Sequence, residues 1–87
     1  MRELKDLISI GKATLDDFNL LGIHKVSDLK RQKAKELYQK LCDLRGIRLD
    51  PCCEDVFRAA IEQARSTKLP KEKCQWWYWS RIRKEGR

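Results

Sequence analysis

The sequence predicts an all-α fold, a compact bundle of five to six helices. Three observations carry that expectation. Apolar residues recur at intervals of three and four along most of the chain, a spacing that gathers them on one face of a helix. No segment shows sustained alternation of apolar and polar residues, so no sheet is expected. Glycine and proline fall between the periodic stretches, where helices stop and start.

The elements follow in order. A first helix is expected over about residues 2–9, with Leu4, Leu7 and Ile8 on one face. A second, over about 12–21, carries Leu15, Phe18 and Leu21 three apart. A short third, about 27–30, has Ser27 as its cap. The fourth, about 33–45, presents Leu37, Leu41 and Leu44 as a stripe flanked by Ala34 and Tyr38. The fifth, about 51–65, turns Val56, Phe57, Ala60, Ile61 and Ala64 inward, and the sixth covers about 70–84. Gly11, Gly22 and Gly46 each fit the left-handed position just past a helix end. Asp50-Pro51 supplies a capping oxygen and then a residue whose missing N–H costs nothing at the first helical position, and Pro70 opens a helix in the same way.

At 87 residues the chain is expected to form one domain: a hairpin region at 1–31, a helical body at 33–66 and a basic, aromatic C-terminal helix at 70–87. A chain of this length buries only about 60–65% of its unfolded surface, which leaves little room for a deep catalytic cleft. The net charge is +7 and is uneven. Residues 1–67 carry 13 Lys/Arg against 11 Asp/Glu, whereas residues 68–87 carry 7 against 2, together with all three tryptophans. Such asymmetry points to an anionic partner, and its bland alternative is a solvated basic tail. No apolar run approaches the roughly 20 residues of a membrane span. The acids at Glu3 and Asp6 do not fit a secretory signal, so a soluble cytoplasmic protein is expected.

The most informative stretch is Leu7 to Thr14. A helix ends, the chain turns at Ile10-Gly11, and a new helix begins at once. The first amides of a helix have no intrahelical acceptor and carry the positive end of its dipole. Gly11 lets an oxygen approach the backbone, and Lys12 adds a full charge. Ile10, Gly11, Lys12, Ala13 and Thr14 therefore form a candidate site for a backbone phosphate. Gly22, Ile23, His24 and Lys25 offer a second contact if their loop lies on the same side. The plainer reading of either loop is a helix cap that binds nothing.

The Ile10-Gly11-Lys12-Ala13-Thr14 run, with Leu7 before it and Phe18 after it, resembles the second half of a helix-hairpin-helix motif. That motif places a second glycine where this chain has Ser9, which implies a hairpin wider or weaker in its hold on phosphate. Leu21-Gly22-Ile23, Val26 and Asp28-Leu29 are similar to the second hairpin of helix-hairpin-helix and SAM-like domains, such as the C-terminal domain of the RNA polymerase alpha subunit. Glu36-Leu37-Tyr38, Leu41-Cys42, Asp50-Pro51-Cys52, Asp55 to Ala60 and Trp76-Trp77-Tyr78-Trp79 look like the pathogenicity-locus family. These are small bacterial helix-hairpin-helix proteins, sometimes labelled mitomycin-resistance-like. The resemblance covers about residues 4–83 and implies a fold rather than an activity.

On a single C-terminal helix, Trp76, Trp79 and Ile82 or Arg83 share one side, while Cys74, Trp77, Tyr78 and Arg81 lie on another. Trp76 and Trp79 are expected to dock on the body. Trp77 is then the exposed ring, free to stack on an unpaired base, with Arg81 and Arg83 near phosphates. Cys42, Cys52, Cys53 and Cys74 are separated by nine, no and twenty residues, a poor match to zinc knuckles, so no metal or cofactor is expected. His24 has no visible acid or thiol partner, and no catalytic residue is assigned. The expectation is a module that contacts nucleic-acid backbone without sequence readout, DNA ahead of RNA. The alternative is a protein-interaction adaptor built on the same hairpin. Oligomeric state stays open.

Overall fold

The computed structural model describes residues 2–86. Five α-helices, α1 (Lys12–Leu20), α2 (Val26–Leu29), α3 (Ala34–Arg45), α4 (Cys52–Arg65) and α5 (Trp76–Glu85), are joined by two single 3-10 turns at Leu4–Asp6 and Lys71–Cys74. The described residues contain no strand.

Helix α4 is the axis of the molecule, and its sequence gives it two buried faces. Phe57, Ala60, Ile61 and Ala64 follow the expected spacing and pack into the apolar core with Leu4, Leu7, Phe18, Leu29, Leu37 and Leu41. The Phe18 and Phe57 rings lie 5.5 Å apart and tilted, a favourable aromatic arrangement. The second face runs through Asp55, Ala59 and Gln63, all buried and four residues apart. It takes the C-terminal segment through polar clamps. Arg83 Nε and Nη2 donate to the two Asp55 carboxylate oxygens at 2.9 and 3.0 Å. Gln63 Nε2 donates to the carbonyls of Ile8 at 2.8 Å, Ala59 at 3.2 Å and Cys74 at 3.5 Å, while its Oε1 accepts the Ile8 amide at 2.9 Å.

Those clamps explain the departures from the expected elements. No helix forms over residues 2–9, only the 3-10 turn at Leu4–Asp6. A helix that short is marginal by itself, and Gln63 takes both backbone groups of Ile8 that would extend it. Ile8 is consequently half out of the core. The expected helix over 70–84 is broken at Gln75, which is extended at φ −89° and ψ 137°, and Pro70 opens the 3-10 turn instead. Leu44 does not complete the α3 stripe and is 50% exposed. In the last turn Cys42 faces inward instead, and Arg45 reaches Asp17 at 2.6 Å. Ser27 lies inside α2 rather than capping it.

Other local expectations hold in part. At α4 the cap position is Pro51 rather than Asp50 and the helix begins at Cys52, with Asp50 Oδ1 accepting the Cys52 amide at 3.0 Å just ahead of it. Gly22 and Gly46 sit at φ 80° and 68° after α1 and α3, where a side chain would be strained. Gly11 does not follow them. It is extended at φ −103°, and the left-handed residue of that turn is Ser9 at φ 70°.

Gln63→Leu removes four hydrogen bonds from a buried position. It is expected to lower unfolding free energy in urea by about 2–3 kcal/mol, well beyond the change for a surface glutamine such as Gln39.

Candidate nucleic-acid interface

The α1 entrance is open. Gly11 is its cap residue and supplies no side-chain hydrogen bond, and the first turn holds no acid. The first helical bond runs from the Leu15 amide to the Gly11 carbonyl at 3.0 Å. The amides of Lys12, Ala13 and Thr14 precede it and so lack an intrahelical acceptor. A Cβ placed on Gly11 would meet no atom within 4 Å. Gly11, Lys12 and Ala13 are exposed, while Ile10 packs against the core and Thr14 is half-buried. Lys12 Nζ lies 3.3 Å from Asp16 Oδ2, and both side chains are mostly in solvent, so the pair contributes little and a stronger anion can displace it.

The second loop looks alike in sequence and differs in chemistry. The Gly22 amide bonds Asn19 and the Ile23 amide bonds Phe18. The amides of His24 and Lys25 both donate to Asp28 Oδ2, at 3.0 and 3.2 Å. A carboxylate of the chain thus occupies the place a phosphate oxygen would take. The hydrogen bond from the His24 amide, joined by that from Lys25, outweighs desolvation and holds Asp28 below the usual carboxylate range. Only the exposed side chains of His24 and Lys25 remain to meet a ligand.

Ser9 joins the α1 entrance to α5. Its hydroxyl accepts the Trp76 amide at 3.2 Å and donates to Gln75 Oε1 at 3.3 Å, so it caps α5 from across the molecule. The C-terminal side chains divide differently from expectation. Trp79 docks: its Nε1 donates to the Lys73 carbonyl at 2.7 Å, and the Arg58 guanidinium lies 4.6 Å from its ring centre. Trp76 does not dock and is 40% exposed, beside Trp77 at 46%. Ser80 is buried and Arg83 meets α4, while Trp76, in the first turn after the break at Gln75, stays in solvent. Arg83 is committed to Asp55, its side chain only 16% exposed, so it is a structural residue rather than a phosphate contact. Arg81 stays exposed, 3.7 Å from Glu72 and over the Tyr78 ring.

Trp76, Trp77, Ser80, Arg81, Lys84 and Glu85 line a shallow recess of about 370 Å³ on the outer side of α5. Ser9, Trp76 and Lys84 were not singled out from the sequence as site residues. The signal for Lys84 was there, since Trp77, Arg81 and Lys84 stand four and then three residues apart. A larger groove of about 520 Å³ between α3, α4 and α5 has Lys33, Lys35, Arg58 and Arg65 on its walls, offset by Glu54 and by Asp55.

All four cysteines are free thiols, Cys42 and Cys74 buried. Burial, helped by the neighbouring Asp50, pushes the Cys52 thiol up to about 11, so it is protonated near neutral pH. Among the described residues no group of three or more His, Cys, Asp or Glu side chains could hold a metal ion.

Ser9→Ala keeps the left-handed backbone and loses the cap, whereas Ser9→Gly loses the cap and relieves the strain. Ser9→Ala is expected to be less stable than Ser9→Gly by about 1 kcal/mol in urea denaturation. Asp28→Ala is expected to lower the melting temperature near neutral pH. Because the folded-state pKa of Asp28 is depressed, its contribution is present above the ordinary value of 3.8 and is lost as pH falls through the lower folded value. The gap between variant and parent should therefore narrow below pH 3.8.

The family model described as Pathogenicity locus matches residues 1–85. The chain is similar to mitomycin resistance protein McrB of Streptomyces lavendulae, with 32% identity over 82 residues, covering 94% of this chain and 74% of that protein. No solved structure matches it. The family model spans all the helices from α1 to α5, and on that extent the chain belongs to the pathogenicity-locus family.

Proposed function

We propose that this protein is a small nucleic-acid-binding module that grips backbone phosphates, of DNA ahead of RNA, without reading sequence. The observation that carries the reading is the uncapped α1 entrance: amides without intrahelical acceptors, open space above Gly11 and the exposed Lys12 ammonium. Amides and dipole favour an anion there, and contacts to phosphate carry no sequence information. The basic excess of residues 68–87 supports the same reading. Four free thiols accord with a reducing, cytoplasmic setting. No described helix is long and apolar enough to cross a membrane.

A protein-adaptor reading draws on a different surface. Leu20, Leu44 and Ile47 are exposed near the ends of α1 and α3, and single exposed apolar residues of this kind are also ordinary.

Titration of tryptophan emission with duplex DNA tests the proposal. Two to four neutralised phosphates give a log–log salt slope of about −2 to −4. Lys12→Glu should abolish binding while leaving an adaptor function intact. Gly11→Asp should move stability and binding in opposite directions. The new carboxylate caps α1 and raises stability by roughly 0.5 kcal/mol, and by filling the anion position it weakens duplex binding at least about tenfold. A flat salt dependence, or wild-type affinity in both variants, overturns the proposal.

A further inference from the structure

We propose that the recess on α5 takes an unpaired nucleotide of the same strand whose phosphate sits at the α1 entrance, so that the preferred ligand is a duplex with a single-stranded end rather than a blunt duplex. This rests on the nucleic-acid reading and adds the ligand class to it.

Trp76 and Trp77 stand side by side and are 40% and 46% exposed. A small domain gains from burying large rings, so two adjacent rings left in solvent mark a surface that something else covers. Their neighbours state the chemistry of the occupant. Arg81 and Lys84 line the same recess, together with Ser80 and with Glu85, whose charge opposes theirs. Arg81 lies over the Tyr78 ring and approaches Glu72 at 3.7 Å, both members of that ion pair more than half exposed, and such a pair yields readily to a phosphate. Flat apolar rings beside cations fit a nucleobase and its phosphate. In a duplex the base faces are stacked on one another, and only an unpaired base offers its face to a ring.

Continuity with the α1 entrance comes through Ser9. Its hydroxyl holds the Trp76 amide at 3.2 Å, and Lys12 lies three residues further along. Three residues reach at most about 10 Å, which a strand covers in a few nucleotides. A phosphate on the Lys12–Thr14 amides would then leave Trp76 and Trp77 within a few nucleotides' reach of the same strand.

Fluorescence anisotropy with a labelled blunt duplex and with the same duplex carrying a short thymidine overhang provides the test. The parent protein is expected to bind the overhang duplex at least about tenfold more tightly. Trp77→Ala should reduce that affinity to the blunt-duplex level while leaving blunt-duplex affinity unchanged. Its circular dichroism and melting temperature should match the parent. Arg81→Gln should lose part of the preference and serves if Trp77→Ala fails to fold. Equal affinity of the parent for the two duplexes, or an equal loss on both in Trp77→Ala, overturns the inference and leaves phosphate binding standing, provided Lys12→Glu still abolishes binding to both. No binding to either duplex overturns both readings. Polyglutamate binding that depends on Trp77, or a dimer in sedimentation that Trp77→Ala dissociates, assigns the recess to an acidic chain or to a second copy and overturns the inference.

Discussion

The Gln63 carboxamide takes both the amide and the carbonyl of Ile8, and its nitrogen also reaches the carbonyls of Ala59 and Cys74. One buried side chain thereby joins the N-terminal segment, α4 and the turn before α5. Its planar group carries donors and an acceptor on one rigid fork, so it pairs with Ile8 much as a neighbouring strand would. The pairing pulls Ile8 out of any helical register, drives Ser9 into the left-handed region, and sets the Ser9 hydroxyl against the Trp76 amide. The closeness of the two helix entrances, α1 and α5, follows from that geometry.

The same face of α4 ends at Asp55, whose carboxylate receives two hydrogen bonds from Arg83. A buried pair of this kind is a weak source of net stability, yet losing one partner is costly because the other charge is stranded. It fixes the rotation of α5 about its axis. With Ser80 and Arg83 turned to the body, Trp77 and Arg81 face away from it, while Trp76, on the same stripe as Ser80 and Arg83, stays 40% exposed in the first turn. The outward position of Trp77 and Arg81 is thus set by a polar contact on another face of the helix. The apolar face of α4 has the usual character, with the Phe18–Phe57 contact and the aliphatic residues of α1 to α3.

The loops before α1 and α2 show how little separates an open helix entrance from a closed one. At α2 an acid stands three residues past the cap position, and from there Asp28 folds back over the amides of His24 and Lys25. At α1 the corresponding residue is Thr14, and the nearest acid, Asp16, lies further along and pairs with Lys12. The Lys25-to-Asp28 spacing is a capping pattern visible in the sequence. The acid, and not the glycine the two loops share, is what distinguishes them.

Features with local causes were legible in the residues. Pro51 after Asp50 starts α4, Gly22 and Gly46 close α1 and α3, and the spacing of Phe57, Ala60, Ile61 and Ala64 marks one buried face. Each depends on dihedral preference, capping or periodicity within a few neighbours. Gly11 and Lys12 could be placed at a helix entrance for the same reason. What the tertiary structure decided was every feature that requires a partner far along the chain. Gln63 meets Ile8 across 55 residues, Ser9 meets Trp76 across 67, and Arg83 meets Asp55 across 28. A glutamine or an arginine in the sequence carries no mark of its distant partner. The loss of the first helix, the break at Gln75 and the burial of Arg83 therefore arise only when packing brings those polar groups out of water and obliges them to pair.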